Sequence, residues 1–212
     1  MLFRSNQPLA CWTGTRAAGS CGTARPTSGC KTPSRTLSSV AALQRILVIG
    51  SGGSGKTTFA RRLAARTQLP LIHLDALYWR PGWDPTPADE WRTKVEALVR
   101  TPAWIMDGNY GGTLDIRLAA CDAVVFLDIP RLVCLWRVMR RQLQHGDRNR
   151  EELPTGCPER LTWEFLKWIW TYPARRRGSI LRRLEALEPR KRVYLLRSSR
   201  EMDRFVDGLA DA

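Results

Sequence analysis

Gly50-Ser51-Gly52-Gly53-Ser54-Gly55-Lys56-Thr57 satisfies G-x-x-x-x-G-K-[ST], and this segment limits what the 212-residue chain can fold into more than any other. The pattern asks for a backbone that curls with its N–H groups inward, where a side chain would block an anion. That curl is useful only between a buried strand and the start of a helix, and the flanks supply both. Ile46-Leu47-Val48-Ile49 is a short β-branched run. From Thr57 to about Arg66 the chain reads as an amphipathic helix, with Phe59 and Leu63 four apart on one face. The helix adds the positive end of its dipole to the loop. Gly50, Ser51, Gly52, Gly53, Ser54, Gly55, Lys56, Thr57 and Thr58 are therefore expected to cradle the phosphates of ATP, with Lys56 on the β- and γ-phosphates and the Thr57 hydroxyl on Mg²⁺.

The rest of the chain repeats the strand-then-helix rhythm. Further strands are expected at Leu71–Leu74, Trp104–Met106, Ala123–Leu127 and Val193–Leu196. A helix starts at Thr86-Pro87-Ala88-Asp89, where a Thr N-cap, a first-turn Pro and an acid agree; its apolar face is Trp91, Val95, Leu98 and Val99. Later helices are expected over Arg131–Leu143, Pro158–Trp170, Arg177–Leu187 and Glu201–Leu209. The alternation gives an α/β fold with one parallel, doubly wound sheet. Residues 1–44 hold no acid and no lasting hydrophobic period, so they read as a disordered basic tail before a domain at 45–212. A transit peptide, a disordered arm and residues upstream of the true start all fit that tail. The cytoplasm is the expected compartment, with an organelle as the alternative if the tail is a transit peptide.

Charge and cysteine content narrow the function classes. The net charge is +14, in two blocks: residues 1–74 carry ten Lys or Arg and no acid, and residues 130–200 carry eighteen against seven. Between them, residues 75–129 are acidic, with nine carboxylates against five basic groups. No apolar run is long enough to cross a bilayer, which excludes a membrane-spanning chain. The six cysteines include no C-x-x-C and lie far from His73 and His145, so they read as reduced thiols, not a metal cage. The chain is too short for a motor with coupling domains, and it lacks an Asn-Lys-x-Asp guanine reader.

A second polar cluster belongs at the ends of the neighbouring strands, where ligands bind in open parallel sheets. Asp75 follows the second strand and is expected to orient or deprotonate an acceptor hydroxyl or phosphate. Asp107, before Gly108, is the preferred carboxylate for hydrated Mg²⁺, with Asp128 as its competitor. His73 shares the crevice or packs. Tyr78-Trp79-Arg80-Pro81-Gly82-Trp83 is a loop aromatic enough to stack a base or cap an acceptor pocket, so Tyr78, Trp79 and Asn109 are read as substrate-binding. Beyond the fourth strand, Arg137 and Arg141 lie four apart on a helix, near Arg140. Arg148 and Arg150 follow in Gln144–Glu152, read as a lid loop. Such arginines stabilise a transferring phosphoryl group. The Trp163–Trp170 helix reads as core packing.

Taken together, Gly50–Thr57, Leu74-Asp75-Ala76-Leu77-Tyr78-Trp79, Pro81-Gly82-Trp83, Asp107-Gly108-Asn109-Tyr110, Phe126-Leu127-Asp128-Ile129-Pro130, Gly156-Cys157-Pro158-Glu159-Arg160 and Trp168-Ile169-Trp170 resemble the adenylate-kinase-like P-loop family often labelled DNA topology modulation protein. The resemblance covers about 45–209. It implies a P-loop NTPase of nucleotide-kinase type, with five parallel strands flanked by helices, an acceptor-side insertion and an Arg-bearing lid. Adenylate kinases end their third strand in Asp-Gly-aromatic-Pro-Arg, whose arginine clamps the acceptor phosphate. Here Asp107-Gly108 runs into Asn109-Tyr110-Gly111-Gly112, and Arg117 is read as the replacement clamp, which argues against AMP as acceptor. The expected activity is ATP- and Mg²⁺-dependent transfer of a phosphoryl group to a small anionic acceptor. Two rivals stand beside it. One is a nucleotide-switched DNA-binding regulator using Arg175-Arg176-Arg177, Arg182-Arg183 and Arg190-Lys191-Arg192; the other is an ATPase without an acceptor.

Overall fold

Period-two burial organises the sheet. Ile46 and Val48 of β1 (Arg45–Gly50) enter one apolar cluster with Phe59, Leu63 and Phe205, while Leu47 and Ile49 enter another with Leu114, Leu118 and Leu184. A strand apolar on both faces must be covered on both, which is the condition for a central parallel strand. The computed structural model describes residues 43–145, 156–157, 161–187 and 190–209. They belong to the second of two compact units, Leu37–Ala212. The expectations for the tail and for Arg148, Arg150 and Pro158–Arg160 fall outside the described residues.

Chain order is β1, α1 (Lys56–Thr67), β2 (Leu71–His73), α2 (Leu74–Tyr78), β3 (Trp79–Arg80), β4 (Asp84–Pro85), α3 (Ala88–Val99), β5 (Trp104–Asp107), α4 (Leu114–Ala120), β6 (Ala123–Leu127), α5 (Arg131–His145), α6 (Trp163–Tyr172), α7 (Gly178–Glu185), β7 (Arg192–Leu196) and α8 (Ser199–Asp207). Five strands form one parallel sheet in the order β2-β5-β1-β6-β7. Helices α1 and α8 cover one face through Phe59, Leu63, Phe205 and Val206, and α4 and α7 cover the other through Leu114, Leu118, Ile180 and Leu184. This is the five-stranded α/β architecture expected from the sequence, with the glycine-rich loop between β1 and α1.

Several boundaries differ from the sequence reading. Leu74 does not end β2 but begins α2, so Asp75 sits in a helical first turn. Thr86 does not cap α3: Pro87 holds that position, and the Thr86 hydroxyl donates to the Tyr78 carbonyl, tying the β3–β4 hairpin to α2. Helix α6 begins at Trp163, capped by Thr162, whose hydroxyl oxygen accepts from the Phe165 N–H. It continues through a π-helical turn, Pro173–Arg177, into α7. Proline inside a helix removes one ladder donor, which accounts for a wider turn here.

Candidate functional site

The phosphate loop is formed as its sequence requires. Gly53 adopts φ +73°, and a Cβ there would lie 2.3 Å from the Cys134 carbonyl, so α5 can approach only a glycine. At Gly52 a Cβ would fall about 3 Å from Phe165 and Trp168, whose rings stack beside the loop. The core expected of this helix is thus only partly there: Ile169 is buried and Phe165 and Trp168 wall the loop half-buried, while Trp163 and Trp170 are exposed. Helix α1 starts without a side-chain cap and without an acid in its first turn, which leaves its dipole for an anion. The Lys56 ammonium donates to the Ser51 carbonyl at 2.9 Å, folded back over the loop it serves. The hydroxyls of Ser51 and Ser54 are buried without a partner.

From α5, Arg137 reaches this loop and donates to the Ser54 carbonyl at 2.8 Å and to the Ser199 hydroxyl at 2.6 Å. It spans the loop and the start of α8, a bridge that the helix spacing alone did not reveal. Arg141, one turn on, is half-buried.

Asp107 closes β5 beside the loop. Its Oδ2 accepts the Thr57 hydroxyl at 2.9 Å and lies 3.3 Å from His73 Nδ1. Its Oδ1 is buried and has no partner. A buried carboxylate oxygen left open next to the loop threonine suits a hydrated divalent cation, because Mg²⁺ keeps several waters and takes one or two protein oxygens plus phosphate. Among the described residues no group of three or more His, Cys, Asp or Glu gathers as a metal cage. The competitor Asp128 is occupied. Both its oxygens accept from Arg177, at 2.7 and 2.8 Å, and the bond holds that guanidinium's pKa above the usual value.

The loop after β5 departs most from the sequence reading. Asn109, read as a substrate contact, turns both ends of its amide onto Gly50: the Gly50 N–H donates to Oδ1 at 3.0 Å and Nδ2 donates to the Gly50 carbonyl at 2.6 Å. It is a strut for the phosphate loop. Arg117, read as an acceptor clamp, is fully buried and donates to the carbonyls of Gly108, Asn109 and Tyr110 at 2.9, 2.6 and 2.8 Å. No face of it is left for an acceptor. Burial pulls its pKa down to about 10. A signal for this existed: Leu114, Arg117, Leu118 and Cys121 fall at i, i+3, i+4 and i+7, placing the arginine on the apolar stripe of its helix.

Asp75, in the first turn of α2, is half-buried, and its carboxylate accepts the Tyr110 hydroxyl. Burial, then the neighbouring carboxylate, holds the Tyr110 pKa well above its ordinary value, so this phenol keeps its proton and donates. Tyr78 packs 4.5 Å from Tyr110 and edge-on to Trp91, so it belongs chiefly to the wall under the site. Trp79 and Trp83 meet edge to face at 5.3 Å on the β3–β4 hairpin. That hairpin is held from the far side of the chain: Gly82 N–H donates to the Gly156 carbonyl and the Cys157 thiol to the Arg80 carbonyl. In the basic block, Arg177 is committed to Asp128, Arg183 to Asp115, and Lys191 to the carbonyls of Ala119 and Cys121. Three of the cations offered to nucleic acid therefore have partners within the chain, Arg183 in an exposed ion pair.

No family model matches the chain, and no curated protein matches it. Among solved structures it is similar to shikimate kinase from Bacteroides thetaiotaomicron, at 16% identity and TM-score 0.49, covering 80% of this chain and 98% of that one. It is similar to shikimate kinase from Acinetobacter baumannii in complex with shikimate, at 17% identity and TM-score 0.49, covering 81% and 93%. A sugar kinase from Janibacter aligns at 21% identity and TM-score 0.42, covering 79% and 90%.

Proposed function

We propose that this protein transfers the γ-phosphoryl group of ATP to a small anionic acceptor, with Mg²⁺. The observation that carries the reading is Asp107, which takes the loop threonine on one oxygen and keeps the other buried and open beside the phosphate loop. Thr57 and Asp107 would hold the metal, whose chemistry is to neutralise the phosphate oxygens. Gly50–Thr58 would bind the triphosphate through backbone N–H groups, and Lys56 would leave the Ser51 carbonyl for the β- and γ-phosphates. Arg137 already sits on the Ser54 carbonyl, close enough to the loop to add positive charge as the phosphoryl group moves.

Asp75 is assigned to the acceptor. Its carboxylate is oriented by the Tyr110 hydroxyl and can receive the proton of an attacking hydroxyl. The acceptor oxygen forms the new bond to γ-phosphorus, the bond from γ-phosphorus to the β,γ-bridging oxygen breaks, and ADP leaves. Asn109 and Arg117 act through the loops they hold. Trp79 and Trp83, paired on the β3–β4 hairpin, would flank the acceptor.

The test is incubation of the full chain with γ-labelled ATP, Mg²⁺ and a panel of nucleotides, nucleosides and phosphorylatable metabolites. Label in an organic product is the expected result. Label in free phosphate alone, whatever the acceptor, would replace this reading with ATP hydrolysis.

A further inference from the structure

Helix α5 carries two apolar stripes where a surface helix needs one. Cys134 and Val138 face inward and are buried. On the opposite side Leu132, Trp136, Met139 and Leu143 are 65%, 54%, 45% and 88% exposed. Every large apolar side chain left exposed among the described residues lies on α5 or α6, with Trp163 and Trp170 of α6 at 74% and 46%. The two helices touch there, with the Arg131 guanidinium 3.9 Å over the Trp170 ring. At these exposures the six side chains present roughly 900 Å², more than the about 300–600 Å² of the largest patch on an ordinary monomer.

We propose that this face is the contact between two copies of the chain, paired through antiparallel α5 helices about a twofold axis. The spacing of the stripe is the first argument. Leu132, Trp136, Met139 and Leu143 follow one another by four, three and four residues, the seam spacing of helices packed knobs into holes. That spacing reads the same in both directions. A twofold through its midpoint sets Trp136 against Met139 of the second copy and Leu132 against Leu143 of the second copy, so the stripe complements itself.

Area is the second argument. The roughly 900 Å² exposed by the two helices is the most such a pairing could cover, and covering most of it reaches the about 800 Å² per partner of a standard stable interface. Charge is the third. Helix α5 has four arginines and no acid, which would oppose self-pairing if they lined the seam. They do not. Arg137 turns to the phosphate loop, Arg131 lies over Trp170, and Arg141 falls on the helix face away from the stripe. Only Arg140 flanks the seam, with its guanidinium 5.2 Å from the Trp136 ring, and tryptophan, methionine and arginine are the residues interface cores favour. Because the same helix delivers Arg137, the contact braces the element that reaches the phosphate loop.

Light scattering on the eluting full chain, from about 100 µM down to about 1 µM, tests this. The mass of two chains at the upper concentration, falling toward one on dilution, is expected. Leu132→Glu and Leu143→Lys should each give single chains with unchanged circular dichroism, since both side chains are exposed. Mixing the two variants should restore the two-chain mass, because the new carboxylate then faces the new ammonium. A wild-type chain that stays single at the upper concentration overturns the proposal, as does a dimer that survives both substitutions. Failure of the mixture to reassociate overturns the antiparallel pairing. A single chain that sediments with phosphatidylserine vesicles, and loses that binding in Leu143→Lys or Leu132→Glu, assigns the face to a membrane surface instead.

Discussion

The phosphate loop and the loop after β5 sit on adjacent strands, yet they are built by opposite means. Gly50–Thr57 takes its curl from its own backbone, through left-handed glycines, a close approach to α5 and an uncapped helix start, while Asn109 and Arg137 brace it at Gly50 and Ser54. Asp107–Tyr110 is shaped by side chains that come from elsewhere or go elsewhere. Arg117 holds three of its carbonyls, Asn109 reaches back to Gly50, and Tyr110 reaches across to Asp75. A backbone-built site depends on local conformation and tolerates few residue types. A side-chain-built site depends on long-range partners, and its residues look ordinary until the fold places them.

Four substitutions probe that contrast. Lys56→Ala should have the largest effect, lowering phosphoryl transfer at least about 10²-fold while the urea midpoint moves little, because on the proposed function the lysine serves the phosphates and gives the loop one hydrogen bond. Wild-type turnover in this variant would remove the loop from the reaction. Arg117→Met should do the reverse, lowering unfolding free energy by about 3 kcal/mol, since three carbonyls lose their donors in a dry setting. A variant as stable as the parent in urea would show that the loop after β5 also stands on its backbone. Asn109→Ala should reduce kcat/KM for ATP about tenfold, as the Gly50 N–H and carbonyl lose their partners. An effect confined to the acceptor KM would return Asn109 to the substrate contact that its sequence position suggested.

The mildest effect is alkaline. Burial raises the Cys121 thiol, at the end of α4, from 9.0 to about 11. The folded chain therefore keeps a proton that the unfolded chain gives up. That contribution to stability is whole below pH 9 and is lost as pH rises toward about 11. Arg117, lowered to about 10, works in the opposite sense above that pH. Thermal melts between pH 9 and 11 should fall less steeply for Cys121→Ala than for the parent. Equal slopes would mean that the thiol does not titrate with unfolding.

The same contrast explains what could be read from the sequence. All five sheet strands and most helices were legible, because β-branched runs and apolar periodicity are local properties. So was the place of the glycine-rich loop between β1 and α1; the choice of Asp107 over Asp128 for magnesium rests on the proposed function. Asn109 and Arg117 were assigned to the acceptor because a polar residue beside a crevice looks like a ligand. Nothing near Asn109 in sequence announces a partner 59 residues away. The cap at Thr86 failed for a similar reason: its hydroxyl was drawn to the Tyr78 carbonyl by a hairpin too short for periodicity to detect. The count of the basic block did not show its partners: Arg177 is held by Asp128, Lys191 by the carbonyls of Ala119 and Cys121, and Arg183 forms an exposed pair with Asp115.

The central place of β1 sets an order of events for the newborn chain. Among the described residues it is the first strand made, and it is the third in the sheet, so both its edges wait, for Trp104–Asp107 on one side and Ala123–Leu127 on the other. The bonds that steady the glycine-rich loop wait longer still: Gly50 needs Asn109, and Ser54 needs Arg137, 83 residues downstream. Contacts of such separation form late, after the loop-closure entropy has been overcome. A ribosome-bound fragment ending before α5 contains the complete phosphate-binding sequence and lacks the bridge to Ser54. Nucleotide affinity in such fragments should rise in a step once Arg137 clears the exit tunnel.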